Sequence, residues 1–380
     1  MKGSVAFVQG HGNRDLFTGV RPDELFGWRR NVGLLVALLE AEGVSWHEIH
    51  APTLDALTVT ADVVILRDAR YPPAQVEGFR RRHRGIPVLA MVFQAPQSIV
   101  DRQCAGEARA LFGANLPVAD ERGSVTGVFA ADHVVVRTKA NAEWYADMGY
   151  PRERMVLLPH APMWRHDGPG NLVAEMPSAP TPAQRPRRFT VLFVGENLLR
   201  KGFFRLYRAF RRLPVDGRRL LVCNLSLRQL RAGTVGAIPA FALDEAREAL
   251  SDPTVEVHDA YRTVDELRRL HSKCDLLVAP SVLDVGPNTL VEAWQLGTRV
   301  IASDACGAIA DLPPMPTVSA PVWWNERGEA AEAFTDRLTE ALEIRRQDTR
   351  PPVVPSRADM TDKVQAIVRV WREFLPGLLS

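Results

Sequence analysis

Short apolar segments alternate with helical segments along most of the chain, and this alternation limits the fold more than any other feature. In the first half, Val-, Ile- and Leu-rich strands are predicted at residues 4–9, 62–66, 87–93, 133–137 and 155–158. Helical periodicity lies between them at residues 28–42, 74–83 and 141–148. A strand–helix alternation of this kind predicts a parallel sheet with right-handed crossovers.

The same alternation restarts in the second half. Strands are predicted at residues 190–194, 219–223, 255–257, 276–279 and 299–302. Helices are predicted at residues 202–212, 264–271, 288–296, 329–345 and 361–374. The chain therefore reads as α/β, with two doubly wound sheets whose ligands are expected at the carboxyl ends of the strands.

A proline-rich segment at residues 171–188 separates the two halves and shows little apolar periodicity. This composition predicts an interdomain linker, with a long surface loop inside one domain as the alternative. A length of 380 residues is enough for two domains. The expected boundaries are an N-terminal domain at 1–170, the linker at 171–188, a C-terminal domain at 189–355 and a final helical segment at 356–380.

Composition excludes several classes of protein. Hydrophobic residues make up 46% and charged residues 24%, as in ordinary globular proteins, and a net charge of +2 gives no sign of nucleic acid as a partner. The four cysteines form no CxxC pair, so neither a zinc site nor a redox motif is predicted and a reducing cytoplasm is expected. The apolar run at the N-terminus is too short for a signal peptide, and no segment approaches the length of a membrane helix.

The segment at residues 191–210, VLFVGENLLRKGFFRLYRAF, carries the first chemical signal. A buried strand runs into Gly195, and Arg200 and Lys201 follow just before a helix. Two adjacent cations suit a diphosphate, because Arg grips two oxygens and Lys adds a compact charge. The alternative is a pair of solvated cations, although cations at a helix start are unfavourable unless an anion binds there.

The second signal lies at residues 274–307, CDLLVAPSVLDVGPNTLVEAWQLGTRVIASDACG. A strand ends at Pro280-Ser281, a loop carries Asp284 and Gly286, and a helix begins near Pro287. The free amides of its first turn, at Asn288, Thr289 and Leu290, form a potential anion site. Glu292 follows one turn later on the same face, where its carboxylate could accept bonds from ribose hydroxyls. The alternative reading makes Glu292 an ordinary surface residue.

These two segments resemble the donor site of the retaining nucleotide-sugar transferases of glycosyltransferase family 4. The shared motifs are VG at 194–195, KG at 201–202, PS at 280–281, EA at 292–293 and GTRVIASD at 297–304. ADHVVVRT (131–138), GYPRERMVLLPHAP (149–162) and VEVHDAYRTVDELRRLHSKCDLLVAPS (255–281) add to the resemblance, which covers residues 131 onwards.

The resemblance implies a GT-B fold, in which two Rossmann-like domains face each other across a cleft and the C-terminal helix returns to the N-terminal domain. It implies metal-independent transfer without a cofactor, from a UDP or GDP sugar to a hydroxyl acceptor of unspecified class. Catalytic roles pass to Arg200, Lys201, Asp284 and Glu292. Donor-binding roles pass to Gly10, Gly12, Gly195, Tyr261, Ser281, Gly286, Asn288, Thr289 and Leu290.

Two positions depart from the family pattern. Asp284 stands where the family has the first Glu of its pair, and it is one methylene shorter. Glu196 stands where an Arg often follows VG, and an anion beside a diphosphate is unfavourable. The Arg200-Lys201-Gly202 sequence matches a variant within the family, so the diphosphate role goes to these cations and Glu196 receives none.

The acceptor side is less well marked. His11 in the Gly10–Gly12 loop, Gln94 after a predicted strand and His160 in the PHAP loop are candidate acceptor residues, while His133 is expected to be structural. The basic run FRRRHR at 79–84 could contact an anionic membrane surface or a phosphorylated acceptor, or it could be a solvated helix end. Trp323 and Trp324 could stack on a sugar or pack in a core.

Two other functions remain open at this point. A catalytically silent GT-B subunit that partners an active transferase is suggested by Asp284, Glu196 and Gln94. A GT-B enzyme of another reaction, such as an epimerase or a phosphorylase, is the second alternative. Acceptor-dependent release of the nucleotide would separate transfer from both.

Overall fold

Two parallel sheets form the centre of the structure, which is a computed structural model. It describes residues 3–9, 29–67, 71–92, 95–118, 127–167, 171–176, 188–258, 263–320, 331–348, 350 and 353–379. The strands are β1 Ser4–Gln9, β2 Ser45–His50, β3 Val63–Arg67, β4 Val88–Met91, β5 His133–Val136, β6 Met155–Leu157, β7 Trp164–His166, β8 Leu172–Ala174, β9 Phe189–Val194, β10 Arg218–Cys223, β11 Val255–His258, β12 Leu276–Ala279, β13 Arg299–Ser303 and β14 Thr317–Val318.

The α-helices accompany these strands in chain order. They are α1 Arg29–Ala41, α2 Pro73–Arg82, α3 Gln97–Phe112, α4 Lys139–Asp147, α5 Phe203–Arg212, α6 Leu225–Arg231, α7 Leu243–Ser251, α8 Val264–His271, α9 Asn288–Gln295, α10 Ala331–Gln347 and α11 Arg357–Leu379. None of the helices in the described part of the chain is long and apolar enough to span a bilayer.

The chain divides into two compact units. The first unit comprises Met1–Gln97, Ala119–Glu175 and Ser356–Ser380, and the second comprises Ser98–Val118 and Met176–Pro355. The expected return of the C-terminal helix is confirmed, since α11 lies in the first unit. There Thr361 Oγ1 accepts a hydrogen bond from the backbone amide of Ala174 at 3.1 Å, and the side-chain amide of Gln365 donates to the Leu172 carbonyl at 2.5 Å.

The sheet of the first unit has the strand order β2-β1-β3-β4-β5-β6, and its neighbouring strands pair in parallel. The apolar side chains of β1, β3, β4 and β5 are almost fully buried, as a sheet covered on both faces requires. The strand β2 was not predicted, because its SWHEIH sequence is polar and half-exposed at the edge of the sheet.

The sheet of the second unit has the strand order β11-β10-β9-β12-β13-β14, again with parallel pairs. Alternate residues of each strand enter opposite cores. Val191 and Phe193 of β9 join the cluster that contains the phenylalanines of α5, whereas Leu192 joins a cluster with Leu290 of α9. The strand β9 pairs with β10 on one side and with β12 on the other, so the topological switch point lies between β9 and β12.

Two features differ from the predicted domain organisation. Part of the segment predicted as a linker forms β8, which pairs antiparallel with β7, so the linker prediction is wrong there. Residues 177–187 of that segment lie outside the described residues. Residues 98–118 were expected in the N-terminal domain, with no helix predicted there. They belong to the second unit and include most of α3, whose Ala108 joins the cluster that contains the phenylalanines of α5.

Candidate functional site

The loop after β9 is shaped by two glycines. At Gly195, a Cβ would lie 2.8 Å from Cγ of Lys201, so the absence of a side chain lets the lysine stem cross the end of the strand. Gly202 has a φ of 74°, and a Cβ there would lie 1.9 Å from the carbonyl oxygen of Pro280. Only glycine permits both the left-handed backbone and this close approach. The loop is therefore packed directly against the end of β12.

Asparagines hold the same loop from within and from the neighbouring strand. The side chain of Asn197 accepts a hydrogen bond from the Arg200 amide at 2.9 Å. The side chain of Asn224, after β10, donates to the carbonyls of Gly195 at 2.6 Å and Glu196 at 2.9 Å. Sequence reasoning assigned no role to either asparagine. The only signal was an amide residue after each strand, where such side chains often bond to nearby backbone.

The loop after β12 is equally fixed. The Asp284 amide donates to the Ala305 carbonyl at 3.0 Å, and the Gly307 amide donates to the Asp284 carbonyl at 2.8 Å. The buried Ser281 offers its carbonyl to the hydroxyl of Ser303. These bonds join the loop to the segment after β13, so the Asp284 side chain projects from a backbone held on both sides.

The two loops bring three charged side chains together at the switch point. The ammonium group of Lys201 hydrogen-bonds the Asp284 carboxylate, and Nη1 of Arg200 lies 3.9 Å from Oδ1 of Asp284. Arg200 Nη1 also donates to the Leu283 carbonyl at 3.2 Å. Burial works to raise the pKa of Asp284, but the charges of Lys201 and Arg200 outweigh it and lower that pKa below its ordinary value. The cluster therefore carries two cations and one ionised carboxylate.

The helix α9 begins at Asn288, directly after Pro287. The predicted anion site used three amides of its first turn, and the structure corrects one of them. The Leu290 amide donates to the Pro287 carbonyl at 3.1 Å, and Leu290 is fully buried in the core. Asn288 and Thr289 are half-buried at the helix start, so their amides are the candidates for binding an anion.

Glu292 is fully buried on α9, so the alternative of an ordinary surface residue is wrong. The charge of Glu292 reaches the imidazole of His271 at the end of α8. Burial lowers the pKa of His271 to about 4 despite the opposing attraction of Glu292, so the imidazole is neutral near pH 7. Its Nδ1 lies 2.9 Å from the hydroxyl of Thr298. Contact between Glu292 and a ribose therefore requires the carboxylate to become accessible when the donor binds.

Glu196, which had no assigned role, has a structural one. Its carboxylate accepts a hydrogen bond from the Leu225 amide at 3.1 Å, at the first residue of α6. Desolvation raises the pKa of Glu196, while this amide and Arg228 oppose the rise. A carboxylate is favourable at a helix N-terminus. This contact accounts for an anion in the loop that carries Arg200 and Lys201.

The candidate residues of the first unit are described only in part. His160 is buried after β6, where the side chain of Asn31 bonds to the Pro159 carbonyl at 2.8 Å and the Ala161 amide at 3.0 Å. His133 packs edge-on against Phe374 of α11, with ring centroids 5.1 Å apart, which fits the expected structural role. Several predicted site or stacking residues lie outside the described residues, namely Gly10, His11, Gly12, Gln94, Tyr261, Trp323 and Trp324.

No group of three or more His, Cys, Asp or Glu side chains suited to a metal ion occurs within the described ranges. Residues 180–350 match the family model described as Glycosyl transferases group 1. No curated protein matches the sequence.

Several solved structures align with almost the whole chain. HepE of Anabaena in complex with UDP and glucose aligns with a TM-score of 0.56 at 11% identity, over 99% of this chain and 99% of that chain. Sucrose-phosphate synthase from Thermosynechococcus elongatus aligns with a TM-score of 0.59 at 16% identity, over 98% and 99%. A glycosyltransferase from Rickettsia africae aligns with a TM-score of 0.54 at 14% identity, over 100% and 99%.

At these identities the structural likeness shows the fold, which is GT-B. The family match lies on the unit that holds Arg200, Lys201 and Asp284. Residues 180–350 thus resemble a glycosyltransferase group 1 domain, which makes the chain an enzyme of the glycosyltransferase class.

Proposed function

We propose that this enzyme moves a sugar from a UDP or GDP sugar to a hydroxyl group of an acceptor, with retention of the anomeric configuration and without a metal ion or cofactor. The observation that carries the proposal is the meeting of Arg200, Lys201 and Asp284 at the switch point of the second sheet. The HepE complexes with UDP and with UDP-glucose make a uridine nucleotide the first donor to test. The acceptor classes to test are glycans, lipid-linked sugars and small-molecule glycosides.

Arg200 and Lys201 stabilise the leaving group of this reaction, which is the nucleoside diphosphate. As the bond from the anomeric carbon to the phosphate oxygen breaks, its electron pair stays on the nucleoside diphosphate. Arg200, Lys201 and the amides of Asn288 and Thr289 stabilise that charge, and one well-placed donor of this kind contributes about 3 kcal/mol. The two cations take the place that a divalent metal holds in other glycosyltransferases.

Retention in a single displacement requires the acceptor to attack from the side on which the diphosphate leaves. In this front-face route, the acceptor oxygen bonds to the anomeric carbon while its proton passes to an oxygen of the departing phosphate. Asp284 lies beside the cations that hold the diphosphate and is assigned to the hydroxyl groups of the donor sugar. Glu292 is assigned to the ribose.

The decisive experiment replaces Glu292 by Ala and measures UDP binding by calorimetry. We expect the affinity to fall at least tenfold, because a charged hydrogen bond contributes about 1.5–3 kcal/mol. Glu292 is buried, so the melting temperature is recorded and Glu292→Gln serves as a milder variant. Glu340→Ala, on an exposed position of α10, is the control. Unchanged UDP affinity in a folded Glu292 variant would sink the assignment.

Activity assays of the wild-type protein test the two competing functions, a silent partner subunit and an enzyme of another reaction. Acceptor-dependent release of UDP by the isolated chain excludes a silent partner subunit. Dependence of the reaction on inorganic phosphate would instead indicate a phosphorylase, and interconversion of donor sugars without UDP release would indicate an epimerase.

The proposal also places the enzyme in the cytoplasm, with peripheral contact to an anionic membrane through the basic run at 79–84. Arg81 and Arg84 are exposed there, whereas Arg80 bonds to Asp132 and to the Ala130 carbonyl at 3.0 Å. Sedimentation with vesicles that contain about a third phosphatidylserine tests this contact. Equal sedimentation of the wild type and an Arg81→Ala/Arg84→Ala variant would count against it.

A further inference from the structure

The start of α5 is electrostatically unfavourable on its own. The helix follows the loop of Arg200 and Lys201 directly, and its first turn contains no acidic residue. Arg205 adds a third cation in that first turn. Cations near a helix N-terminus oppose the helix dipole, and a buried cation needs a compensating partner. Another element must therefore supply the negative charge.

That charge comes from Glu107 of α3. Its carboxylate accepts hydrogen bonds from Nε and from Nη2 of Arg205, the latter at 2.6 Å, and neither side chain has any exposed surface. The guanidinium carbon of Arg205 also lies 5.1 Å from the ring centre of Phe334 on α10. A two-point ion pair and a ring contact together hold Arg205 in one position.

The face of α3 that carries Glu107 follows α5 from its beginning. Burial raises the pKa of the Cys104 thiol to about 11, and the opposing charge of Arg200 reaches it there. Further along, the Leu111 carbonyl accepts a hydrogen bond from Arg208 at 3.2 Å. Residues 104, 107 and 111 have the spacing of one helix face. One face of α3 therefore lies along the first and second turns of α5.

A contribution to folding stability alone does not explain the buried Glu107–Arg205 ion pair. A buried ion pair loses its hydration, and replacing both partners by apolar side chains is often neutral or stabilising. A second pair on α5, Arg208 with Glu245, has its Nη2–Oε2 contact at 2.6 Å but is partly exposed and one turn further from the loop. The fully buried pair is the one that lies at the loop with the two diphosphate cations.

We propose that Glu107 and Arg205 are positioning residues for the donor diphosphate. Glu107 neutralises Arg205 and anchors the first turn of α5 to α3, so that Arg200 and Lys201 stand at a fixed place at the end of β9. The inference rests on the proposed function, in which those two cations bind the diphosphate. It also explains why a helix from the N-terminal half of the sequence is built into the second unit.

The double variant Glu107→Leu/Arg205→Met tests the effect of the position of Arg200 and Lys201 separately from the effect of net charge. It removes one charge of each sign, so the net charge beside the diphosphate is unchanged. The matched control is Glu245→Leu/Arg208→Met, which removes the other α5 pair. UDP affinity is measured by calorimetry, the KM for UDP-glucose by UDP release, and folding by the melting temperature.

We expect the Glu107/Arg205 variant to melt at or above the wild-type temperature, to bind UDP at least fivefold more weakly and to show a matching rise in KM. The control should bind UDP within twofold of the wild type. A folded Glu107/Arg205 variant that binds UDP like the wild type overturns the inference, because the pair is then purely structural.

The single variant Glu107→Gln keeps the test open if the double variant does not fold. It leaves Arg205 charged, and the added positive charge alone would strengthen UDP binding. Weaker binding therefore supports displacement of the loop, whereas equal or stronger binding overturns the inference. Wild-type protein that binds neither UDP nor GDP overturns the proposed function and this inference together.

Discussion

Replacement of Asp284 by Asn changes the charge of the site with little change in shape. The side chain of Asp284 is 8% exposed and bonds to Lys201, with Arg200 at 3.9 Å and the Gly286 amide at 3.3 Å. Among the described residues, this carboxylate is the anion that the two cations face. A diphosphate that binds the same cations must come close to Asp284, and the two anions repel each other.

The size of the effect follows from that geometry. At an effective dielectric constant of about 20, two like unit charges about 5 Å apart repel by about 3 kcal/mol. Loss of the carboxylate also frees the lysine and arginine side chains, and ordering one of them again costs up to about 2 kcal/mol. We therefore expect Asp284→Asn to bind UDP more tightly by about 1–2 kcal/mol, which is about five- to thirtyfold.

The rate of sugar transfer should fall, although UDP binds more tightly. If Asp284 accepts a hydrogen bond from a donor-sugar hydroxyl in the transition state, Asn loses a charged bond of about 1.5–3 kcal/mol, and kcat at saturating donor falls by about 10- to 150-fold. Calorimetry with UDP and UDP release from UDP-glucose measure the two effects in one preparation. Tighter nucleotide binding with slower transfer is the expected signature.

The control is Asp275→Asn, which removes the same charge at the opposite end of β12. There the Asp275 carboxylate accepts a hydrogen bond from the Thr190 amide at 2.8 Å. Its UDP affinity should stay within twofold of the wild type. Weaker UDP binding by Asp284→Asn would refute the reasoning, because the carboxylate would then serve mainly to orient the cations.

Three further changes test the surroundings of the site. Gly202→Ala forces a Cβ to 1.9 Å from the Pro280 oxygen at a φ of 74°, so it should cost about 2 kcal/mol or more in urea unfolding and weaken UDP binding. Glu196→Gln weakens the contact with the Leu225 amide and should cost about 0.5–1 kcal/mol while UDP affinity stays within twofold; a tenfold loss would put Glu196 in the donor site. Burial lowers the pKa of His271 to about 4, so stability should fall by up to about 3 kcal/mol as the pH drops from about 6.5 to 4, and His271→Gln should flatten that slope in pH-dependent unfolding.

The two loops that carry Arg200, Lys201 and Asp284 were predictable because their sequence signals are local. Gly195 and Gly202 stand where the backbone and packing leave no room for a side chain, and such positions are visible as glycines in the sequence. Arg200 and Lys201 follow a strand of strongly apolar pattern. A parallel α/β sheet places the ends of such strands at one edge, so their meeting with Asp284 follows from topology.

Features that depend on distant partners were not predictable in this way. Glu107 and Arg205 are 98 residues apart, and each alone looks like a surface residue of a helix. The burial of Glu292 depends on the core around α9, and the bond that occupies the Leu290 amide depends on how the first turn of that helix closes. Neither is encoded by residue type and spacing alone, so sequence reasoning gave Leu290 a role that its amide does not have.

The position of Asp284 depends both on a local sequence signal and on contacts with residues distant in the sequence. Sequence spacing puts an acid before α9, but only the folded loops show that it faces Lys201 and Arg200. Two cations held together without an anion would repel each other, so a carboxylate between them keeps their side chains in place. A nucleoside diphosphate brings at least two negative charges where Asp284 brings one, and it can therefore take over the cations. On the proposed function, Asp284 acts as the counter-ion of Lys201 and Arg200 until the diphosphate replaces it, and we expect Asp284→Asn to remove that exchange.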